Sequence, residues 1–192
     1  ITMAYNVAYV DTELPQLTVT GGDPDSWTNT AVCFTVSAGD QISGIESLMY
    51  SLDGSTWQTA NQTVTVIQNG TVYFRATDLA GNQTQYTAEV TKIDKTAPAF
   101  SVSRSTKELT NQDVLLTVAA TDTQGGIQKV EYSFDSNTWH TGNTITMGSN
   151  GPVFIRVTDN AGNQTAKRQI LVSNIDKEAP VMTLSGNITG WT

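Results

Sequence analysis

Ile93-Asp94-Lys95-Thr96-Ala97-Pro98 is the best-kept of three copies of one boundary. A looser copy, Val10-Asp11-Thr12-Glu13-Leu14-Pro15, precedes it, and Ile175-Asp176-Lys177-Glu178-Ala179-Pro180 follows. The aspartates stand 83 residues apart (11 to 94) and 82 apart (94 to 176). A fixed period of this size sets the architecture, because each copy must be one folding unit of an array. Residues 1–10 then read as the last strand of a preceding repeat, 11–93 as repeat 1, 94–176 as repeat 2, and 177–192 as the first strand of a following repeat. Pro180 to Thr192 restarts the pattern of Pro15 to Thr28. No Gly/Ser linker separates the repeats, and Pro98 fixes its own φ and restricts Ala97 to extended geometry. Neighbouring units are therefore expected to stand end to end with limited swing.

Within one period apolar residues alternate, and turn signals recur every 8–12 residues, the pattern of a sandwich or barrel. Strand A is expected at Leu14–Thr20 and Ala99–Ser103, and strand B at Thr30–Ala38 and Asp113–Thr121. On strand B, Val32, Phe34 and Val36 face inward, as do Val114, Leu116 and Val118. That puts Cys33 and its counterpart Leu115 on the outer face. Strand C covers Ile45–Leu52 and Ile127–Phe134, with Leu48, Tyr50 and Leu52 inward, as are Val130, Tyr132 and Phe134. Trp57 and Trp139 follow a tight turn and, with the two tyrosines, are expected to fill the cores. A short strand comes next, and Asn69-Gly70 and Asn150-Gly151 then read as hairpin turns. Val72, Phe74 and Ala76 face inward on the following strand, matched by Val153, Ile155 and Val157. The fold class is all-β: two tandem seven-stranded immunoglobulin-like β-sandwiches.

The 18 acidic against 10 basic residues give a net charge of −8. Nucleic acid is excluded as a partner, since phosphate binding needs clustered Lys and Arg. Cys33 is the single cysteine, so no disulfide can form within the chain. No apolar run is long enough to span a membrane.

Three motifs occur in register in both repeats: the Asp-x-Ala-Gly-Asn turn (Asp78 to Asn82, Asp159 to Asn163), the Ile-Asp-Lys-x-Ala-Pro boundary, and an Asp-x-x-x-Gly-Ile step (Asp40 to Ile45, Asp122 to Ile127). Together they resemble the bacterial immunoglobulin-like repeats of large cell-surface adhesins and multimodular secreted proteins. The resemblance covers essentially the whole chain. It implies an extracellular stalk or spacer, either on the cell surface or in a secreted protein, that holds a terminal module away from the cell and has neighbouring repeats as its first partners. In some such arrays aspartates at domain junctions hold calcium that stiffens the rod. Ser51-Leu-Asp53-Gly54-Ser-Thr-Trp57 also resembles the Asp-box hairpin of sialidases, with its glycine one residue early, and such boxes are structural.

Catalysis is not expected. His140 is the single histidine, and its counterpart is Gln58, so no duplicated histidine chemistry exists. One Cys and one His cannot build a zinc site. Asn82-Gln-Thr84 and Asn163-Gln-Thr165 match the glycosylation pattern only because a turn Asn meets a strand Thr. Trp27 and Trp191 are expected to cap the sandwich ends, and Leu109, which replaces the Trp in the second repeat, to do the same job without a ring. The alternative to a stalk is a glycan- or protein-binding accessory module of a secreted enzyme. A binder should carry an exposed aromatic or charged cluster in one copy that the other lacks. The candidates are Trp27, Tyr73, Arg75 and Tyr86 against Leu109, Phe154, Arg156 and Arg168.

A stalk requires no cofactor, yet one cation has a place in it. In a seven-strand sandwich of this kind the start of strand A and the B–C and F–G loops lie at one end. Asp94, Asp122 and Asp159 should meet there, and Asp11, Asp40 and Asp78 one repeat earlier. Calcium suits them, accepting carboxylates, carbonyls such as those beside Gly125 and Gly126, and water. The plainer alternative is that each Asp caps its own turn.

Overall fold

The computed structural model describes residues 10–186. The strand expected at residues 1–10 lies outside them except for Val10, and so does Trp191. Chain contacts gather into two compact units, with the loops Asp122–Gly126 and Asp159–Asn163 grouped with the first.

The first sandwich contains β1 (Gln16–Gly21), β2 (Val32–Gly39), β3 (Ile45–Ser51), β4 (Gln58–Thr59), β5 (Thr63–Val66), β6 (Gly70–Asp78) and β7 (Gln83–Val90). Its sheets run β1-β2-β5 and β4-β3-β6-β7, with antiparallel pairing. The second repeats this with β8 (Ala99–Arg104), β9 (Val114–Thr121), β10 (Ile127–Ser133), β11 (His140–Thr141), β12 (Thr144–Met147), β13 (Gly151–Asp159) and β14 (Arg168–Val172). Its sheets run β8-β9-β12 and β11-β10-β13-β14. The described residues are all-β.

Period-two alternation drives both cores. Val32, Phe34 and Val36 on β2 meet Val72 and Phe74 on β6, with Val64, Val66 and Val90 closing the cluster. In the second unit Val114, Leu116 and Val118 meet Val153 and Ile155, closed by Ile145, Met147 and Val172. Burying each such side chain is worth about 1.5–3 kcal/mol. Tyr50 and Tyr132 pack against these clusters, as expected.

Several expectations need correction. Leu52 is 46% exposed and Phe134 48%, because strand C ends one residue earlier, at a buried serine. Ser51 and Ser133 donate their hydroxyls to Asp53 and Asp135 at 2.9 and 2.8 Å, and the chain turns out of the sheet there. Trp57 and Trp139 belong to neither core. Each lies on the outer sheet face beneath an arginine, Arg75 or Arg156. Tryptophan at an outward position is stabilised there by a cation over its ring, which removes the need for a core berth.

Asn69-Gly70 and Asn150-Gly151 are not hairpins. β5 and β6 belong to different sheets, so each dipeptide is a crossover. The Asn69 side chain donates to the Ile93 carbonyl (2.8 Å) and accepts from the Ile93 N–H (2.7 Å), as a strand neighbour would. Asn150 grips Ile175 in the same way. The boundary stretch is also held by parallel bridges, Thr28 to Ile93 and Thr110 to Ile175. Leu109, expected to cap a sandwich end, is 75% exposed. Residues 177–186, expected to begin a strand, form none. An extended segment needs a neighbouring strand to take up its hydrogen bonds.

Cys33 is a free, exposed thiol, 3.7 Å from the Thr65 hydroxyl. Cys33→Ser is expected to change stability by less than about 0.5 kcal/mol, since nothing in the core depends on it. Native-state labelling with a thiol reagent and urea unfolding check both points; a large loss would contradict the placement.

Candidate metal-binding site

Asp11 precedes β1, Asp40 follows β2, and Asp78 ends β6. The fold brings one carboxylate oxygen from each within 4.8 Å of the others. Asp94, Asp122 and Asp159, from the equivalent places, form a second cluster by the same measure. Asp78, Asp94 and Asp159 are wholly buried. Three ion pairs occur among the described residues, and none includes any of these six aspartates.

Each cluster is built on backbone donors. Asp78 Oδ1 accepts from the N–H groups of Ala80 (2.9 Å) and Asn82 (2.8 Å). The turn closes on Gly81, whose φ of +95° suits glycine. Asp40 Oδ1 collects the N–H groups of Ile42, Ser43 and Gly44 and the Ser43 hydroxyl. Asp122 Oδ1 accepts from Gln124 and Gly126. Turn capping is therefore real, and it uses one oxygen of Asp40 and Asp122, leaving the other free of these bonds.

Two asparagines join the clusters, a role beyond the turn positions that their sequence context implies. Asn163 Nδ2 donates to Asp159 Oδ2 (2.8 Å) and to the Asp94 carbonyl (2.9 Å). Asn82 bridges Asp78 and the Asp11 carbonyl likewise. Their exact 81-residue repetition beside a buried Asp was the available signal. The glycine carbonyls proposed as ligands are already engaged: Gly125 O accepts from the Asn160 side chain, and Gly126 O from the Asn160 N–H.

The clusters differ most at the second oxygen of the boundary aspartate. Asp94 Oδ2 accepts the Gly125 N–H at 2.9 Å. Repeat 1 has Ser43 in place of Gly125, and the Ser43 N–H goes to Asp40. Asp11 Oδ2 is accordingly buried without any partner. A buried carboxylate oxygen lacking a donor is costly unless a cation meets it. The donor set of Asp11, Asp40 and Asp78, all hard oxygens, fits calcium better than a transition metal.

Carboxylates with depressed pKa values, Asp40 alone of them in a cluster, shape the acid response. Amide hydrogen bonds from Thr56 and Ser55 hold Asp53 well below its ordinary value of 3.8, and those from Thr138 and Asn137 do the same for Asp135. The Ser43 N–H acts similarly on Asp40. Partial burial opposes ionisation of Glu131, but hydrogen bonds from Arg156 and Lys129 keep its pKa low. Groups with depressed folded pKa values stabilise the native state fully above their unfolded values, and that contribution is lost as pH falls through the folded ones. Urea midpoints are expected to be flat across roughly pH 5–8 and to fall below about pH 4. A midpoint that rises on acidification in that range would contradict these assignments.

No family model and no curated protein matches the chain. Solved structures do. Fibronectin(III)-like modules of Clostridium thermocellum CbhA align with a TM-score of 0.39 at 11% identity, over 88% of this chain and all of theirs. Three N-terminal domains of the bacteriophage RB49 outer capsid protein Hoc align at 0.38 and 14%, over 82% of this chain and 58% of theirs. A structure of carbohydrate-binding modules from the β-sandwich superfamily aligns at 0.37 and 13%, over 86% of each chain.

Proposed function

We propose that these are non-catalytic spacer repeats of an exported bacterial surface or adhesin-like protein, whose aspartate clusters hold calcium. The observation that carries this is repetition of the framework itself. The second sandwich reproduces the strand order, the core positions, the asparagine clamp on the boundary and the three-aspartate cluster of the first. A spacer needs a self-contained unit and little else. The Asp11 cluster, with its unpartnered oxygen, is the stronger calcium site, and the Asp94 cluster, where Gly125 already supplies a donor, the weaker. Replacing both repeats in the parent protein by unrelated β-sandwiches of equal length should preserve display and activity of its terminal module. Loss of binding on that exchange, with display intact, would favour an accessory binding module instead. One difference between the copies supports that second role for the first unit.

A further inference from the structure

The outer face of the β4-β3-β6-β7 sheet carries an arginine whose counterpart in the second unit is paired with a carboxylate. Arg156 lies over Trp139 at 4.0 Å and donates its Nε–H to Glu131 Oε2 at 3.0 Å. Glu131 Oε1 in turn meets Lys129 at 3.1 Å. Arg75 lies over Trp57 at 4.1 Å, an equivalent stack. Yet the strand position of Glu131 is held here by Met49, paired with Arg75 across β3 and β6, and that of Lys129 by Ser47. Arg75 Nε is buried and has no acceptor. Arg75 takes part in none of the three ion pairs among the described residues, so its half-buried charge has no counter-ion in the chain, whereas that of Arg156 has one.

What surrounds Arg75 suggests the acceptor's carrier. By register, Tyr73, Arg75 and Thr77 on β6 share a face with Thr87, Gln85 and Gln83 on β7. The exposed part of this face is the hydroxyl and amide groups of Gln83, Gln85 and Thr87 beside an aromatic ring, with Tyr73 and Arg75 half-buried and Thr77 buried. The face's own acid, Glu89, is bonded to Thr71 farther along. We propose that this face binds the carboxylate of an acidic sugar residue, with the guanidinium of Arg75 as its anchor and the hydroxyl and amide side chains meeting the sugar's own hydroxyls. The arriving carboxylate meets the solvent-facing edge of the guanidinium and supplies the negative charge that Glu131 supplies to Arg156. This goes beyond the spacer role and is independent of the calcium sites.

The test is titration of the chain with oligogalacturonate in the presence of chelator, so that no metal bridges the acid groups. Carboxyl-reduced oligomer and a poly-glutamate peptide serve as controls. Met49→Glu installs the acceptor that the second unit already has, so it should weaken binding about tenfold or more without lowering the melting temperature. Arg75→Gln should do the same to binding. The reduced oligomer should not bind. Undiminished binding by Met49→Glu, or no binding by the unaltered chain, would overturn the proposal. Binding of poly-glutamate in place of the sugar would overturn the choice of an acidic glycan.

Discussion

Phe74→Ala is expected to lower the unfolding free energy of the first sandwich by about 3–5 kcal/mol. Phe74 is fully buried and meets Phe34 edge-on, with ring centroids 5.3 Å apart at 61°. The pair bridges the two sheets, since Phe34 lies on β2 and Phe74 on β6. Valines 36, 64, 72 and 90 surround it, and their short, stiff side chains cannot swing into the space a ring leaves. A unit of this size carries little stability in reserve, so the loss is a large fraction of the total. The second unit solves the same position with Leu116 and Ile155. There Ile155→Val should cost only about 0.5–1.5 kcal/mol. Urea unfolding of the two variants measures both values. A Phe74→Ala loss below 1 kcal/mol would mean that the rings do not hold the sheets together.

Asp78→Ala comes next in size, at about 3 kcal/mol. The substitution strands the Ala80 and Asn82 N–H groups and the Asn82 amide, all of which donate to this one buried carboxylate. Loss of one charge from the cluster relieves repulsion with Asp11 and Asp40, but that term is smaller than the bonds removed. The separation of the two terms is experimental. In chelator the loss should be about 3 kcal/mol, and in calcium it should be larger, because the ion's stabilisation disappears as well. Equal losses in both conditions would make Asp78 a turn residue alone.

The alternation of Val32, Phe34 and Val36 with Cys33 was enough to place strand B and to set the thiol outside. The same arithmetic placed Val72, Phe74 and Ala76. It failed where a strand ended, at Leu52 and Phe134, because alternation does not say which residue is the last one paired. It failed again at Trp57 and Trp139. Their size suggests a core, but the arginine that makes an outward berth favourable lies on another strand and cannot be seen from local sequence. Asn69-Gly70 had the chemistry of a tight turn, while its actual task, gripping Ile93, depends on a residue 24 positions away. The three-aspartate clusters could be foreseen from strand order alone. The asparagines that brace them, and the single oxygen left without a donor on Asp11, depend on atomic geometry that no repeat pattern encodes.

The most direct test is calorimetric titration with calcium after treatment with chelator, followed by thermal unfolding in each condition. The clusters are expected to bind calcium, with the Asp11 site filling first. At about 100 times the dissociation constant the melting temperature of the first unit should rise by roughly 10 °C or more. Asp40→Ala should abolish the stronger binding and the shift with it. No heat of binding, unchanged melting with calcium and chelator, and an Asp40→Ala loss that is equal in both conditions would together contradict the account and leave all six aspartates as turn caps.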